Sequence, residues 1–439
     1  MSFSVRAFED IGSIGESTWQ QFADVAGEPF DPFVSYIFLQ ALEQSGSVSR
    51  QAGWLPYHLL LEDDQQQPLG VMPLYLKGHS QGEYIFDYSW ADAFERAGGR
   101  YYPKMLSAVP FTPASGRRIL VTNPEHEAPL LRGAASIAEE MNVSSVHINF
   151  LNQAQWQSCK DNNWLLRTHK QYHWQNEGYA SFEGFLDRLS SKKRKNIRRE
   201  RRDALASGVT IERLTGNDIL EQHWDAFYQF YIDTGSRKWG SPYLSREFFS
   251  LVGERMSERI LLIMCKRAGR YVAGAINFIG DECLFGRNWG CLEHHPFLHF
   301  EVCYYQAIEF AIERGLKRVE AGAQGEHKLA RGYLPSHTYS AHWIAHEGFR
   351  EAVGRFLSEE RDHIADASFK WRARRGRSRK LSCHRDCEDA FGLRAPPAVV
   401  AQRMFVQLVH GHPELLVSWR TPAHVEPLHA RRQHGRHVL

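Results

Sequence analysis

The sequence predicts an α/β (α+β) protein built from two copies of one fold, each a mixed, mainly antiparallel sheet flanked by helices. The main observation is a repeated order of elements. In each half of the chain, helices precede an antiparallel pair of strands, and a further helix leads into another strand. The second observation is length, since 439 residues are enough for two or three domains of ~150 residues each. Residue identities do not repeat between the halves, so the prediction depends on element order alone.

In the first half, periodicity and turn residues predict a helix followed by a hairpin. Phe38–Gly46 should form a helix that its final glycine ends. Tyr57–Glu62 and Leu69–Leu76 are apolar strands separated by an acidic, glutamine-rich turn, as expected of a β-hairpin. Ala128–Asn142 is a further helix with a proline in its first turn, and Ser145–Phe150 is the strand that follows it.

The second half repeats this order with clearer turns. Two helices come first, three strands form an antiparallel meander between glycine-containing turns, and one helix and one strand complete the unit. The predicted elements are, in order, helices Asp218–Thr234 and Arg246–Met256, strands Ile260–Cys265, Val272–Phe278 and Cys283–Arg287, helix Phe300–Arg314 and strand Arg318–Ala321. Gly315 should end the last helix, because glycine readily adopts the left-handed conformation found at helix ends.

A strongly basic segment joins the two halves. Eight of the fourteen residues from Ser190 to Asp203 are Lys or Arg, and Ser190 or Ser191 can cap a helix that ends near Gly208. One interpretation is a contact of Lys192–Arg202 with polyphosphate, tRNA or anionic lipid. The other is a solvated helix whose cations pair with acidic neighbours, and both interpretations stay open at this point.

Composition limits the class of protein. The net charge is +2, hydrophobic residues make up 43%, and no apolar run reaches the ~18 residues of a membrane helix. The first ten residues carry acids and lack a signal peptide's apolar core, so a cytoplasmic location is expected. Seven scattered cysteines suit a reducing compartment. Cys383 and Cys387 flank His384 without a second paired element, so no metal site is predicted.

These features predict three segments along the chain. Residues 1–175 form the first fold, and residues 176–365 form the second fold, which includes the basic helix and the active site. Residues 366–439 are rich in Arg, His and Pro, with little periodicity, and form a mobile or poorly packed tail.

The most informative stretch is the loop Ala321–Tyr333. Small residues and glycines there let the backbone approach a ligand closely, while titratable side chains surround the same place. Its candidate residues are Gln324, Glu326, His327, Lys328, Arg331 and Tyr333. The alternative is a solvated loop with incidental charges.

Three further clusters could carry chemistry. Thr234–Leu244 places Arg237 and Lys238 beside Trp239, which suits an anionic or carbohydrate-like ligand. Phe285–Cys291, with Arg287 and Trp289, could splay and leave backbone amides free to polarise a carbonyl. Leu298–Gln306 opens a helix with His299, Glu301 and Tyr304, where either His299 or Glu301 could act as a general base. The alternatives are a packed turn, a β-bulge and an ordinary helix start, in that order.

Together these residues resemble a known family. The segments are Tyr101–Met105, Val109–Pro113, Arg237–Gly240, Leu298–Glu301 with Cys303–Tyr305, and Gly322–Lys328. Over about residues 1–365 they resemble the FemAB-like predicted N-acyltransferases of the GNAT superfamily, also called peptidoglycan biosynthesis/recognition proteins. The resemblance implies two GNAT-type folds in tandem and transfer of an acyl or aminoacyl group to an amine. The Fem-type relatives of this family take the aminoacyl group from tRNA and extend the peptide of a cell-wall precursor.

The sequence departs from that pattern in two places. Acyl-CoA-dependent GNAT proteins carry a Gln/Arg-x-x-Gly-x-Gly/Ala loop, whereas Gly290–Leu298 lacks this glycine pattern, which favours a donor other than CoA. The tail also continues past the point where the family resemblance ends, as a lineage-specific addition or a reading-frame artefact.

The predicted function is therefore N-acyl transfer, by direct attack of an amine on a carrier-bound carbonyl. The candidates for the base are Glu301, His299, Glu326 and His327. Anionic groups of the substrates would be held by Lys328, Arg331 and Arg237. The pocket would be lined by Trp239, Trp289, Tyr304 and Tyr333. One alternative is a non-catalytic protein that recognises peptidoglycan precursor or tRNA. Another is an acyl-CoA-dependent N-acetyltransferase of a small amine. Donor, acceptor and oligomeric state are left open.

Overall fold

A computed structural model describes residues 2–238, 242–323 and 325–361. Trp239 and Gln324 lie outside these residues, as do Cys383–Cys387 and the whole predicted tail 366–439. The side chains of Arg237, Lys238 and Glu326 are also outside the description. The predictions made for these positions therefore stay predictions.

The first half contains both strands and helices, with four consecutive strands between the second and third helices. They are β1 (Phe3–Phe8), α1 (Glu16–Ala23), α2 (Tyr36–Gln44), β2 (Trp54–Pro56), β3 (His58–Asp63), β4 (Pro68–Met72), β5 (Tyr75–Lys77), α3 (Tyr88–Arg96), β6 (Lys104–Ser107), β7 (Leu120–Val121), α4 (Glu127–Glu140), β8 (Ser145–Leu151), α5 (Gln153–Asp161) and β9 (Leu165–Gln175). The predicted helices and strands of this half are present, with ends that differ by a few residues, except for the strand Leu69–Leu76.

The second half begins with the helices that link it to the first. Its elements are α6 (Phe182–Asp187), α7 (Ser191–Leu205), β10 (Thr210–Leu214), α8 (Glu221–Lys238), α9 (Arg246–Met256), β11 (Ile260–Arg267), β12 (Arg270–Ile279), β13 (Cys283–Cys291), α10 (Leu298–Phe300), a π-helix (Glu301–Gln306), α11 (Ala307–Glu313), β14 (Arg318–Glu320) and β15 (Leu334–Ile344). A last helix, α12, covers residues 347–361.

The strand pairing repeats between the halves. In the second half, β10, β11, β12 and β13 pair antiparallel in order, and β13 pairs parallel with β14. In the first half, β1, β3 and β4 pair antiparallel in order, β5 pairs antiparallel with β6, and β6 pairs parallel with β8. The same succession of pairings twice along the chain confirms the predicted fold class of two mixed α/β units.

One predicted strand is wrong. Leu69–Leu76 is divided into β4, in a four-stranded sheet, and β5, in an eleven-stranded sheet. Pro73 lies at the break, and proline cannot donate a hydrogen bond to a neighbouring strand. Tyr57 N donates to Leu74 O at 2.8 Å, so the two parts of the hairpin stay in contact across the break.

The two halves exchange their last strands. β9, the last strand of the first half, pairs with β14 of the second half, while β15 pairs with β8 of the first half. β9 and β15 also pair antiparallel with each other. The eleven-stranded sheet is therefore continuous through both halves. A division at residues 175/176 stays a prediction, and strand exchange makes the two units dependent on each other.

The basic helix α7 is partly neutralised by its surroundings. Ser190 caps it, with the side chain accepting from Lys193 N. Five of its cations have partners: Lys193 with Leu329 O, Arg194 with Asp187, Arg198 with Glu183, Arg201 with Glu301 and Glu309, and Arg202 with Asp203. Lys192, Lys195 and Arg199 are exposed, and their spacing of three and four residues places them on one face. None of these three makes an ion pair within the described chain.

A buried polar cluster surrounds Lys104, in the first segment of the family resemblance. Lys104 Nζ donates to Ser80 Oγ and Glu83 Oε2, both at 2.8 Å, and to Asp87 Oδ2. On the neighbouring strand, His147 Nδ1 lies 2.6 Å from His342 Nδ1. Burial and the charge of Lys104 lower the pKa of His147 to about 3, so this imidazole is neutral in the folded protein at pH 7.

Acid should destabilise the protein through these histidines. Unfolded His147 takes up a proton near pH 6.5, whereas the folded side chain resists protonation until about pH 3. Its contribution to stability is present above pH 6.5 and is lost as the pH falls toward 3. Burial raises the pKa of Glu83 to about 7, which acts in the opposite direction between pH 4.5 and 7.

We expect the melting temperature to fall by at least ~5 °C from pH 7 to pH 4.5, because burial also lowers the pKa of His169 and His342. His147→Gln should reduce this fall. Calorimetry across the pH range is the measurement, and an equal fall in both proteins would contradict the assignment.

Candidate active site

β13 and β14 separate after a short parallel contact. They pair only from Cys283↔Arg318 to Phe285↔Glu320, and β13 then continues to Cys291 while β14 ends. The edge of β13 beyond Phe285 therefore has no strand partner on the side of β14 among the described residues. The register of β12 against β13 also shifts next to Asn277, so that Arg287 forms a bulge. Both structures predicted for this segment, a splay and a bulge, are present.

The corresponding opening in the first half is closed by its own chain. β6 pairs with β8 as far as Ser107↔Ile148, and the chain then returns so that Gly116 bridges Leu151. Gly116 N donates to Phe150 O, and Asn152 N donates to Gly116 O, each at 3.0 Å. Of the two repeated openings, the one in the second half is therefore the better candidate for a reaction site.

The π-helix brings aromatic side chains to the open edge of β13. π-Helical turns are uncommon and occur frequently at functional sites, because one extra residue per turn re-aims the side chains. Here the turn holds Tyr304, whose ring lies 5.5 Å from the rings of both His299 and Tyr333. Trp289, on the free part of β13, lies 5.5 Å from His299. Three sequence clusters thus meet at one place.

His327 has the properties of a general base. Its Nε2 lies 2.8 Å from the hydroxyl of Tyr304, and its side chain is exposed. Partial removal from water, with the charges of Arg331 and Lys328, lowers its pKa, so the imidazole is neutral at pH 7. Gly325 has a φ of 117°, and a Cβ at this glycine would collide with the His327 ring. The glycine therefore permits the position of the imidazole.

Two polar groups of the same site are buried with few partners. Lys328 is 1% exposed, and its Nζ donates to Gly322 O at 2.8 Å. Burial lowers the pKa of Lys328 to about 8. The hydroxyl of Tyr333 is fully buried and has no hydrogen-bond partner in the described part of the chain. Buried polar atoms without partners are uncommon, and a ligand or an ordered water would satisfy them.

Other predicted residues are already paired. Glu301 is fully buried and accepts from Arg201 through both carboxylate oxygens at 3.0–3.2 Å, and from Gln306 Nε2 at 2.8 Å. Arg331 is also buried, donates to both oxygens of Glu200 at 2.9 and 3.2 Å, and stacks on Phe300. These contacts tie α7 to the π-helix and to the loop of His327. Neither side chain is placed to take up a proton or an external anion, which differs from the roles predicted for them.

Arg287 connects the site to the first half. Its Nη2 donates to Phe111 O, in the Val109–Pro113 segment of the family resemblance. The Phe111 ring stacks on Tyr243 at 4.9 Å with an interplanar angle of 9°. The predicted substrate residue Arg287 thus holds the two halves together beside the opening.

Glu320 was missed by the sequence analysis, which treated it as a strand residue. It is the last residue of β14, is 4% exposed, and its Oε2 has no partner among the described residues. An acid that ends a buried strand directly before Ala321-Gly322 is the signal that could have identified it.

Two further properties concern metals and membranes. Within residues 2–238, 242–323 and 325–361, no group of three or more His, Cys, Asp or Glu side chains is arranged to hold a metal ion. No described helix combines the length and the apolar character needed to cross a bilayer.

Comparison with solved structures finds similar chains of low sequence identity. FemX is 13% identical, with 77% of this chain and 98% of that chain covered and a TM-score of 0.49. L-PGS from Bacillus licheniformis is 10% identical, with 76% and 99% covered and a TM-score of 0.45. A tandem GNAT protein from the clavulanic acid biosynthesis pathway is 10% identical, with 78% and 98% covered and a TM-score of 0.41.

Sequence comparison gives a more specific result. No curated protein matches the chain. A family model described as peptidoglycan biosynthesis/recognition matches residues 10–376, which is most of the sequence. The chain therefore belongs to the FemAB-like family.

Proposed function

We propose that the protein is an N-acyltransferase that transfers an acyl or aminoacyl group from a carrier to an amine, with a cell-wall peptide precursor as acceptor. The observation that carries the proposal is a neutral, exposed His327 in contact with the Tyr304 hydroxyl. Tyr304 is linked through the ring of His299 to Trp289 on the free part of β13, and the buried Lys328 follows His327 in the chain. Family membership supports the acceptor class.

The proposed reaction needs three functions from these residues. The donor carbonyl lies against the free edge of β13, where backbone amides and the Lys328 ammonium stabilise the developing oxyanion. The amine forms the new C–N bond and gives its proton to His327. The carrier leaves with the electron pair of its ester or thioester bond. Trp289, His299 and Tyr304 hold the reacting groups in position.

The exposed cations of α7 favour a polyanionic carrier. Lys192, Lys195 and Arg199 form one unpaired basic face, and Lys193 of the same helix donates to Leu329 O, in the turn that follows His327 and Lys328. We propose that this face contacts phosphates of the carrier, with aminoacyl-tRNA as the first candidate and acyl-CoA as the second.

A transfer assay tests the function and the carrier together. The full chain is incubated with a cell-wall pentapeptide precursor and either charged total tRNA or acetyl-CoA, and label on the precursor is measured. We expect transfer from charged tRNA. Transfer from acetyl-CoA alone would favour the acetyltransferase, and tight precursor binding without transfer from either donor would favour a recognition protein.

Salt dependence tests the basic face separately. Changing Lys192, Lys195 and Arg199 to Gln should weaken tRNA binding and lower its salt slope by about three. The same change at the exposed residues Arg50, Lys160 and Arg270 is the matched control. Equal effects of the two triple variants would contradict the assignment.

A further inference from the structure

A separate cavity lies where the two halves meet, on the other face of the sheet. It encloses about 370 Å³ and is lined by both halves, including Asp31, Gly116, His173 and Glu320. Glu320 is paired with Phe285 of β13 on one side and with His173 of β9 on the other, so the three side chains lie on the same face of the sheet. Their neighbours Leu284, Val319 and Trp174 point to the opposite side, into the core that contains the π-helix and Tyr333. The cavity is therefore distinct from the His327 site.

Glu320, which lines this cavity, has one carboxylate oxygen without a partner among the described residues. Oε1 accepts from Arg318 Nε at 3.1 Å, and Oε2 is buried without a partner in the described chain. A buried acceptor left without a donor costs about 1–3 kcal/mol, and more when it is charged. This carboxylate needs a donor that the described residues do not supply.

His173 does not supply that donor. Its Nε2 lies 3.1 Å from Gln171 Oε1, and the amide of Gln171 is oriented by donation of its Nε2 to Pro113 O at 3.0 Å. Because Gln171 Oε1 only accepts, His173 Nε2 carries the proton. Burial lowers the pKa of His173, so the ring is neutral and Nδ1 keeps a lone pair. This lone pair lies 3.8 Å from Glu320 Oε1, which places two acceptors side by side.

Asp31 adds a third acceptor from the first half. Its Oδ1 accepts from Phe33 N at 2.9 Å, while a Cβ at Gly116 would collide with Oδ2. Removal from water raises the pKa of Asp31, the charge of Arg118 and the bond from Phe33 N lower it, and the charge of Glu320 raises it, so the two carboxyl groups lie close enough to interact. The cavity is also lined by Glu28, Glu282, Arg117 and Arg318. Lys317 pairs with Glu282, and the charge of the buried Arg118 acts on both Asp31 and Glu320.

The chemistry of the cavity selects one class of ligand. Three acceptors, two of them on carboxyl groups, call for a group with several N–H donors, and a cation forms the stronger bonds to carboxylate oxygens. No His, Cys, Asp and Glu set in the described residues is arranged for a metal ion, and the cavity is large enough for a small organic molecule. We propose that it binds a ligand with a primary ammonium group, which donates to Glu320 Oε2, His173 Nδ1 and Asp31.

The proposal of an ammonium site depends only on the structure of the cavity. The further proposal, that the site binds the acceptor amine in its protonated form before transfer, rests on the proposed function. Glu320 is the last residue of β14, where β13 and β14 separate, so an amine held by it would lie at this separation, on the face of the sheet away from His327.

The test measures binding without any acyl donor, so that it is independent of catalysis. The probe is cadaverine at pH 7.5, and 1,5-pentanediol is the uncharged molecule of the same length. We expect calorimetry to detect cadaverine and not pentanediol. Glu320→Gln should weaken cadaverine binding by at least ~10-fold, whereas Glu125→Gln, an exposed acid on the first half, should not change it.

Gly116→Ala provides a second variant that keeps every charge. The added methyl should displace the Asp31 carboxylate and weaken cadaverine binding, even if Glu320→Gln does not fold. Equal binding of the two probes, unchanged affinity in both variants, or no binding of cadaverine at 50 mM would each overturn the proposal. Cadaverine binding without acyl transfer would overturn the proposed function and leave the ammonium site in place.

Discussion

Changing His327 to alanine should lower the rate of acyl transfer by about 10²–10⁴-fold, with the melting temperature unchanged within ~2 °C. The rate falls because the proposed base is removed. Stability is kept because the side chain is exposed and its hydrogen bond to Tyr304 lies at the edge of the core. Steady-state kinetics with saturating donor and thermal unfolding of the same sample are the two measurements.

The pH dependence of the rate gives a second readout for His327. The base must be neutral, and partial removal from water, together with the positive charges of Arg331 and Lys328, lowers the pKa of His327 below the usual 6.5. Activity should therefore persist below pH 6.5 and be lost only as the pH falls through the lowered pKa. Tyr304→Phe removes the hydroxyl partner and is the conservative control, with a loss of about 10-fold expected.

Glu326 is the rival base, since its side chain lies outside the described part of the chain. If Glu326→Gln abolishes transfer while His327→Ala retains the acid limb of the pH profile, the base is Glu326. Loss of thermal stability in His327→Ala, with normal turnover of the remaining folded enzyme, would contradict the catalytic assignment of His327.

Local sequence patterns predicted much of the second half. Helix Arg246–Met256 is found with its predicted ends, and the three meander strands are each present and somewhat longer than predicted. These elements depend on apolar runs and glycine turns within a few residues of each other, which a sequence displays directly. The loop of His327 could also be proposed as part of the site, because its unusual residue types are adjacent in the chain.

Contacts between distant residues could not be predicted in the same way. The exchange of β9 and β15 depends on pairing between residues more than 140 positions apart, and no local pattern specifies it. The sequence analysis named Arg287 as a substrate residue in the cluster Phe285–Cys291, but its bond to Phe111 is visible only in the fold. Likewise, Glu301 had the position of a base in the sequence, and its carboxylate is bound by a cation 100 residues earlier.

This last contact leads to the second large effect, on stability. Changing Arg201 to methionine should lower the free energy of unfolding by about 3–5 kcal/mol, because Glu301 is left as an uncompensated charge at a fully buried position. The matched control is Arg198→Met on the same helix. Arg198 pairs with Glu183 at the surface, and its loss should cost at most ~1 kcal/mol. Chemical denaturation of both variants measures the difference.

A second change separates this structural role from catalysis. Adding Glu301→Gln to Arg201→Met removes the buried charge, so part of the lost stability should return, although the neutral amide still lacks its donor. If Glu301 were the base, Glu301→Gln alone would abolish transfer in a protein of normal stability, because the amide keeps the shape and loses the proton acceptor. We expect the opposite result for Glu301→Gln. Its stability should be lowered, because glutamine cannot bind Arg201 through two charged oxygens, and the folded fraction should still catalyse transfer.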